Sequence, residues 1–229
     1  MLIDADYSQI ELRLLAHIAG DETMINAFLS GEDIHASTAS AVFGVPLSEV
    51  TPELRKRAKA VNFGIVYGIG DYSLSVDLGI TKKQAGEYIA NYLARFHAID
   101  SYLKDTVRMA YDHGFVETIF GRRRYIPELK ASNKMMRSFG ERVAMNSPIQ
   151  GSAADIIKIA MVNTRNALAA ANIDARLILQ VHDELVVEAA RSCADEAAMI
   201  LRREMENAVS LSVPLSVDLT VGDTWYENK

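Results

Sequence analysis

The chain has 229 residues, 49% apolar and 24% charged, with 24 Lys and Arg against 30 Asp and Glu, a formal net charge of −6. That length suits one large domain or two small ones around a buried core, and such ordinary usage excludes a disordered or collagenous chain. One cysteine, Cys193, excludes a disulfide framework and a Cys-based zinc site, and no apolar run nears the roughly 20 residues that cross a bilayer, so a cytoplasmic location away from membranes is expected.

Leu2-Ile3 is an apolar lead into Asp6, the end of a strand. Ser8 and Glu11 have capping-box spacing for a helix that ends at Gly20, and Asp33 caps another that ends near Gly44. Thr51-Pro52 pairs a cap with proline at the first helical position. That helix is expected to run through Tyr67 and fray at Gly68 and Gly70. Thr81 opens a long helical stretch that breaks near His97 and ends at Gly114. Residues 115–126 alternate around Phe120-Gly121 as a hairpin, and 133–171 are helical with a kink or break at Pro148. Apolar strands over 175–181 and 185–189 flank His182-Asp183-Glu184 as a second hairpin. A helix from about 194 to 209 and a strand over 214–221 close the chain. The class is therefore α+β, with a small antiparallel sheet and a large helical insertion over roughly residues 30–145.

An acidic total reads against a phosphate-rich partner until the charge is located. Residues 1–54 carry nine acids against Arg13 alone. Arg55-Lys56-Arg57-Ala58-Lys59 then adds four bases, and residues 122–142 hold seven bases against Glu128 and Glu141. Charge is segregated along the chain. Solvated helix faces would explain this, and so would two basic elements facing phosphate with carboxylates elsewhere holding cations.

Asp6 and Asp183 each lie where a strand ends, so pairing within one sheet would put the carboxylates side by side. Two acids in one place repel unless a cation joins them, and hard oxygen donors suit Mg²⁺. Taken singly, a residue preceding a cap and a residue filling a turn account for the two acids as well. Arg55, Lys59, Phe63 and Tyr67 are spaced four apart and form one slowly drifting helical stripe. Cations can hold a triphosphate while an aromatic ring stacks on a base. Packed aromatics with snorkelling cations would give the same pattern. Gly64 and Gly68 remove bulk beside the stripe, which suits close approach by another group.

Together these residues resemble DNA polymerase family A, the bacterial DNA polymerase I type. Asp6-Tyr7-Ser8-Gln9-Ile10-Glu11-Leu12-Arg13 resembles its motif A, and Arg55-x3-Lys59-x3-Phe63-Gly64-x2-Tyr67-Gly68 its motif B on the fingers helix. His182-Asp183-Glu184 resembles motif C, and Arg142-x3-Asn146-x-Pro148-Ile149-Gln150-Gly151 a segment that contacts DNA. The resemblance runs in order to Val221-Gly222-Asp223-x-Trp225. It implies palm over 1–30 and 146–229, with mostly fingers over 31–145.

The resemblance also implies roles. Asp6, Asp183 and the backbone carbonyl of Tyr7 would bind two Mg²⁺ ions. Arg55 and Lys59 would hold the triphosphate, with Lys59 a proton donor to the leaving pyrophosphate. Phe63 would stack near the incoming base and sugar, and Tyr67 would stand where the templating base enters. Glu11 is similar to the steric gate against a ribose 2′-hydroxyl, and Gln9 and His35 match positions near the nucleotide. His182, Arg142, Asn146 and Gln150 match positions on the primer end, template and minor groove. Alternation along a strand would turn Glu184 away from Asp183, leaving it a supporting role. The Arg122-Arg123-Arg124 turn is expected to touch DNA backbone rather than do chemistry.

The implied partners are primer–template DNA and deoxynucleoside triphosphates. In the family several hundred residues precede Asp6, including a thumb and an exonuclease-like domain, whereas five precede it here. A palm surface left uncovered would favour a homodimer. Two functions follow: template-directed DNA synthesis, or a fragment that binds nucleotide or DNA weakly and self-associates without catalysis.

Overall fold

Ile3, Ala5 and Tyr7 alternate with Asp4 and Asp6, and a strand turns these two sets to opposite faces. In the computed structural model, which describes residues 1–228, the elements follow in this order. They are β1 (Leu2–Tyr7), α1 (Ile10–Ala19), α2 (Glu22–Leu29), α3 (Ile34–Phe43), α4 (Pro52–Val66), α5 (Asp71–Leu78), α6 (Lys82–Arg95) and α7 (His97–His113). Then come β2 (Phe115–Glu117), β3 (Arg123–Tyr125), α8 (Lys134–Ala171), β4 (Ala175–Val181), β5 (Glu184–Ala189), α9 (Ala194–Glu206) and β6 (Val217–Gly222). The chain forms two compact units, one of residues 1–10 with the segment from Ser152 onward, the other Glu11–Gly151.

In the first unit an antiparallel sheet runs in the order β4-β5-β1-β6. Ile3, Ala5 and Tyr7 are fully buried, as are Leu185, Val186 and Val187 of β5 and Ala197, Leu201 and Met205 of α9, which packs on β1, β5 and β6. The Tyr7 hydroxyl donates to the Met205 carbonyl at 2.7 Å. Burial, with Glu206 nearby, pushes the Tyr7 phenol far above its ordinary range. This side chain pins β1 to the core. Alternation then leaves Asp4 and Asp6 on the opposite face.

The second unit is helical, with α3 packed on α4 and α6, and a separate β2–β3 hairpin. The caps expected at Asp33, Thr51 and Thr81 are present. Asp33 Oδ1 accepts from the backbone of His35 and Ala36, Thr51 Oγ1 accepts from Leu54, and Thr81 and Gln84 form a reciprocal capping box. Gly44 and Gly114 end α3 and α7 with positive φ. Helices α2 and α5 go beyond the elements read from the sequence. Asp21 caps α2 directly after Gly20, so no loop composition separates it from α1.

Pro148 does not break α8, which runs as helix without interruption from Lys134 to Ala171. The ring removes one donor, and the neighbouring Ser147 hydroxyl bonds the Val143 carbonyl at 2.6 Å while Ile149 is fully buried. Packing holds this turn helical. At the C-terminal end, α9 stops at Glu206 and β6 begins at Val217, each shorter than the apolar pattern suggests.

Candidate functional site

The acidic residues and the cation–aromatic stripe belong to different units, and each set has its own geometry.

In the sheet unit, β4 and β5 are joined by two residues, His182 and Asp183, with Val181 paired to Glu184. His182 has φ +52°, a left-handed conformation that glycine adopts more cheaply at such a turn. Gln180 Nε2 donates to the His182 carbonyl at 2.6 Å and braces the turn. The Tyr7 backbone N–H donates to the Asp183 carbonyl at 3.2 Å. That bond fastens the Asp183 turn to the end of β1, one residue beyond Asp6. The two acids predicted to meet are thus brought to the same end of one sheet. Asp6 is exposed and Asp183 half-buried.

Register adds two acids that the motifs alone do not locate. Asp6 stands directly across from Glu184 on β5 and from Asp218 on β6, so all three share a face. The expectation that Glu184 faces away from Asp183 rests on strand alternation, but Asp183 is a turn residue and alternation does not govern it. Glu184 is buried, and its Oε1 accepts from Trp225 Nε1 at 2.7 Å. The same indole N–H lies 3.1 Å from Oδ2 of the buried Asp4.

Asp6 and Asp183 fit a hard divalent ion in donor chemistry and access. Among the described residues no group of three His, Cys, Asp or Glu side chains is arranged to hold a metal. An arrangement short of a closed protein cage suits Mg²⁺, which keeps waters and substrate oxygens in its shell. The Tyr7 side chain is committed to the core, so only its backbone carbonyl is a candidate ligand.

Gln9, after β1, has φ +56°. Its Oε1 and Asn146 Oδ1 in the other unit are buried acceptors without a hydrogen-bond partner. Native proteins leave few such atoms unpaired, and both residues match positions expected to touch nucleotide or DNA.

In the helical unit the predicted stripe is present. Lys59 Nζ lies 5.9 Å from the Phe63 ring centroid, and Phe63 and Tyr67 stack at 6.5 Å with a 23° interplanar angle. The His35 ring lies 6.1 Å from Phe63. The Tyr67 hydroxyl donates to Glu11 Oε2 at 2.9 Å, joining two predicted site residues 56 positions apart. Arg55 Nε donates to Asp33 Oδ2 at 2.5 Å, so the residue that caps α3 also aims the guanidinium. Burial would raise the Asp33 carboxyl, but Arg55 and the N–H groups of Ala36 and His35 outweigh it and hold the group below its ordinary value. His35 is almost fully buried and, with Arg55 and Lys59 nearby, is pushed down to about 4 despite Asp33.

The two glycines beside the stripe make room for the chain itself. A Cβ on Gly64 would come within 2.7 Å of Ile69, and one on Gly68 within 2.5 Å of Met145. On α8, Arg142, Asn146 and Gln150 are four apart and share a face, with the Arg142 guanidinium 5.9 Å from the Phe139 ring. Arg122 Nη2 donates to the Gly151 carbonyl, and Arg123 pairs with Glu117 at 2.7 Å over the Phe115 ring. Two of the arginines expected in a turn therefore have structural partners, and Arg123 and Arg124 belong to strand β3 rather than to the turn.

The family model for DNA polymerase family A matches residues 1–227. DNA polymerase I of Caldicellulosiruptor bescii is 55% identical over 229 residues, all of this chain and 27% of that protein. DNA polymerase I of Bacillus subtilis is 52% identical over 229 residues, all of this chain and 26% of that protein. The chain thus spans about a quarter of the length of the curated relatives it matches. Among solved structures, the POL domain of Pol1 from M. smegmatis, in complex with DNA primer-template and dNTP, superposes with a TM-score of 0.94 at 46% identity. That match covers 98% of this chain and 40% of the other. With the family model matched over nearly its whole length and relatives about half identical across all of it, the chain belongs to DNA polymerase family A.

Proposed function

We propose that this chain carries the palm and fingers chemistry of template-directed DNA synthesis, transferring a deoxynucleotide to a primer 3′-hydroxyl. The observation that carries the reading is the Tyr7-to-Asp183 backbone bond, which brings the carboxylates of two distant motifs to one sheet end. Asp6 and Asp183, with the Tyr7 carbonyl, would hold two Mg²⁺ ions. Ions held by these residues would lower the pKa of the primer 3′-hydroxyl and neutralise charge on the triphosphate. Arg55 and Lys59 bind the triphosphate and stabilise the departing pyrophosphate, to which Lys59 gives a proton. Phe63 stacks on the nucleotide, and Tyr67 holds Glu11 where a 2′-hydroxyl would need space. Gln9 and His35 complete the nucleotide contacts, Glu184 supports Asp6 from the facing strand, and Arg142, Asn146, Gln150 and His182 take primer–template DNA. Exposed Ile178 and Leu179 on the edge strand β4 support association of two copies, which sedimentation velocity would detect.

Primer extension with Mg²⁺ and deoxynucleoside triphosphates tests the reading. Asp183→Ala is expected to lower the rate by about 10³-fold or more, some 4 kcal/mol of lost charge stabilisation. Extension that survives the substitution sinks the metal assignment. No extension by the wild type at any concentration leaves the second function, binding without catalysis.

A further inference from the structure

Asn62 is completely buried in the middle of α4, where an amide is costly unless both of its ends are bonded. Thr38 Oγ1 donates to Asn62 Oδ1 at 3.1 Å, and Asn62 Nδ2 lies 2.9 Å from His35 Nδ1. Thr38 and His35 are one turn apart on α3 and are themselves buried. With the amide in this orientation Nδ2 donates, Nδ1 accepts and the ring proton resides on Nε2.

We propose that Asn62 is a positioning residue that fixes His35 as the neutral Nε2–H tautomer, so the imidazole offers a donor rather than a charge to the triphosphate bound by Arg55 and Lys59. The proposal rests on the nucleotide-binding reading above and adds a residue that does not itself touch nucleotide. The charged groups around the ring agree with it. Arg55 and Lys59 disfavour a cation, and Asp33, which would favour one, is engaged by Arg55 at 2.5 Å. A neutral donor has a signature. Phosphate affinity gains nothing from His35 as pH falls from 8 to 5, whereas a titrating imidazole would strengthen it.

The test is ¹⁵N NMR of the His35 ring in the whole chain from pH 5 to 8, with and without inorganic tripolyphosphate. The expected spectrum shows an unprotonated Nδ1 and a protonated Nε2 throughout, with Nε2–H shifting when tripolyphosphate is added. A protonated Nδ1 in the wild type overturns the proposal, as does an Nε2–H that ignores tripolyphosphate while the chain binds it. Asn62→Asp keeps the size but can only accept. It should draw the proton to Nδ1 and weaken tripolyphosphate binding about fivefold at pH 8, with recovery toward pH 5. If that variant does not fold, Thr38→Val, which frees the amide to rotate, should give a mixed tautomer. Binding lost in Lys59→Ala but unmoved in a folded Asn62→Asp sinks this proposal and spares the nucleotide reading. No binding by the wild type sinks both.

Discussion

The sheet end that carries Asp6 and Asp183 and the helix that carries Arg55, Lys59 and Phe63, with Tyr67 capping its end, hold their side chains by different means. The acids are placed by backbone: a strand end, a two-residue turn with His182 at positive φ, and one N–H to carbonyl bond. The cations and aromatics are placed by side chains, through Asp33 to Arg55, Asn62 to His35 and Tyr67 to Glu11. Backbone placement fixes where a carboxylate begins but leaves its oxygens to be oriented by what binds. Side-chain placement orients the acting atoms in advance and couples them to the stability of the helix pair.

That contrast predicts where substitutions and pH act. His35 is the largest case. Its folded pKa is depressed to about 4, so the folded state binds fewer protons than the unfolded chain between that value and about 6.5. The resulting stabilisation is fully present above pH 6.5 and is lost as pH falls toward 4. Urea unfolding should lose up to about 3 kcal/mol across that window, and His35→Gln should flatten this part of the slope. A wild-type profile without the slope would mean that the ring is not held neutral.

Gly68→Ala comes next. Its φ of +66° and the approach of Met145 leave no comfortable place for a methyl group, so a cost of about 2 kcal/mol is expected in the same unfolding assay. A neutral result would show that the loop after α4 yields freely. The smallest effect concerns Glu11→Ala, which removes the partner of the Tyr67 hydroxyl. Ribonucleotide incorporation relative to deoxynucleotide should rise by roughly tenfold in primer extension. Unchanged discrimination would remove Glu11 from the gate.

Much of this was legible in the sequence, for local reasons. Asp33, Thr51 and Thr81 announce helix starts because a capping side chain acts within three residues, and Gly44 and Gly114 mark ends for the same reason. The stripe on α4 follows from helical period alone. What escaped depends on partners far along the chain. Glu184 and Asp218 face Asp6 only because of strand register, and Trp225 reaches Asp4 across 221 positions. Asn62 reads as an ordinary polar residue until α3 is packed against it. Gly64 and Gly68 were legible as places of close approach, and the groups that approach them within the chain are Ile69 and Met145.

The central claim is that Asp6 and Asp183 hold divalent cations together. Mn²⁺ binding followed by electron paramagnetic resonance tests it most directly, in the wild type, Asp6→Asn, Asp183→Asn and the double variant. Circular dichroism would confirm that each remains folded. The expected result is that either single substitution removes most of the bound Mn²⁺ and the double removes little more, because the two carboxylates serve as shared ligands. Undiminished Mn²⁺ binding after either single substitution would contradict the account.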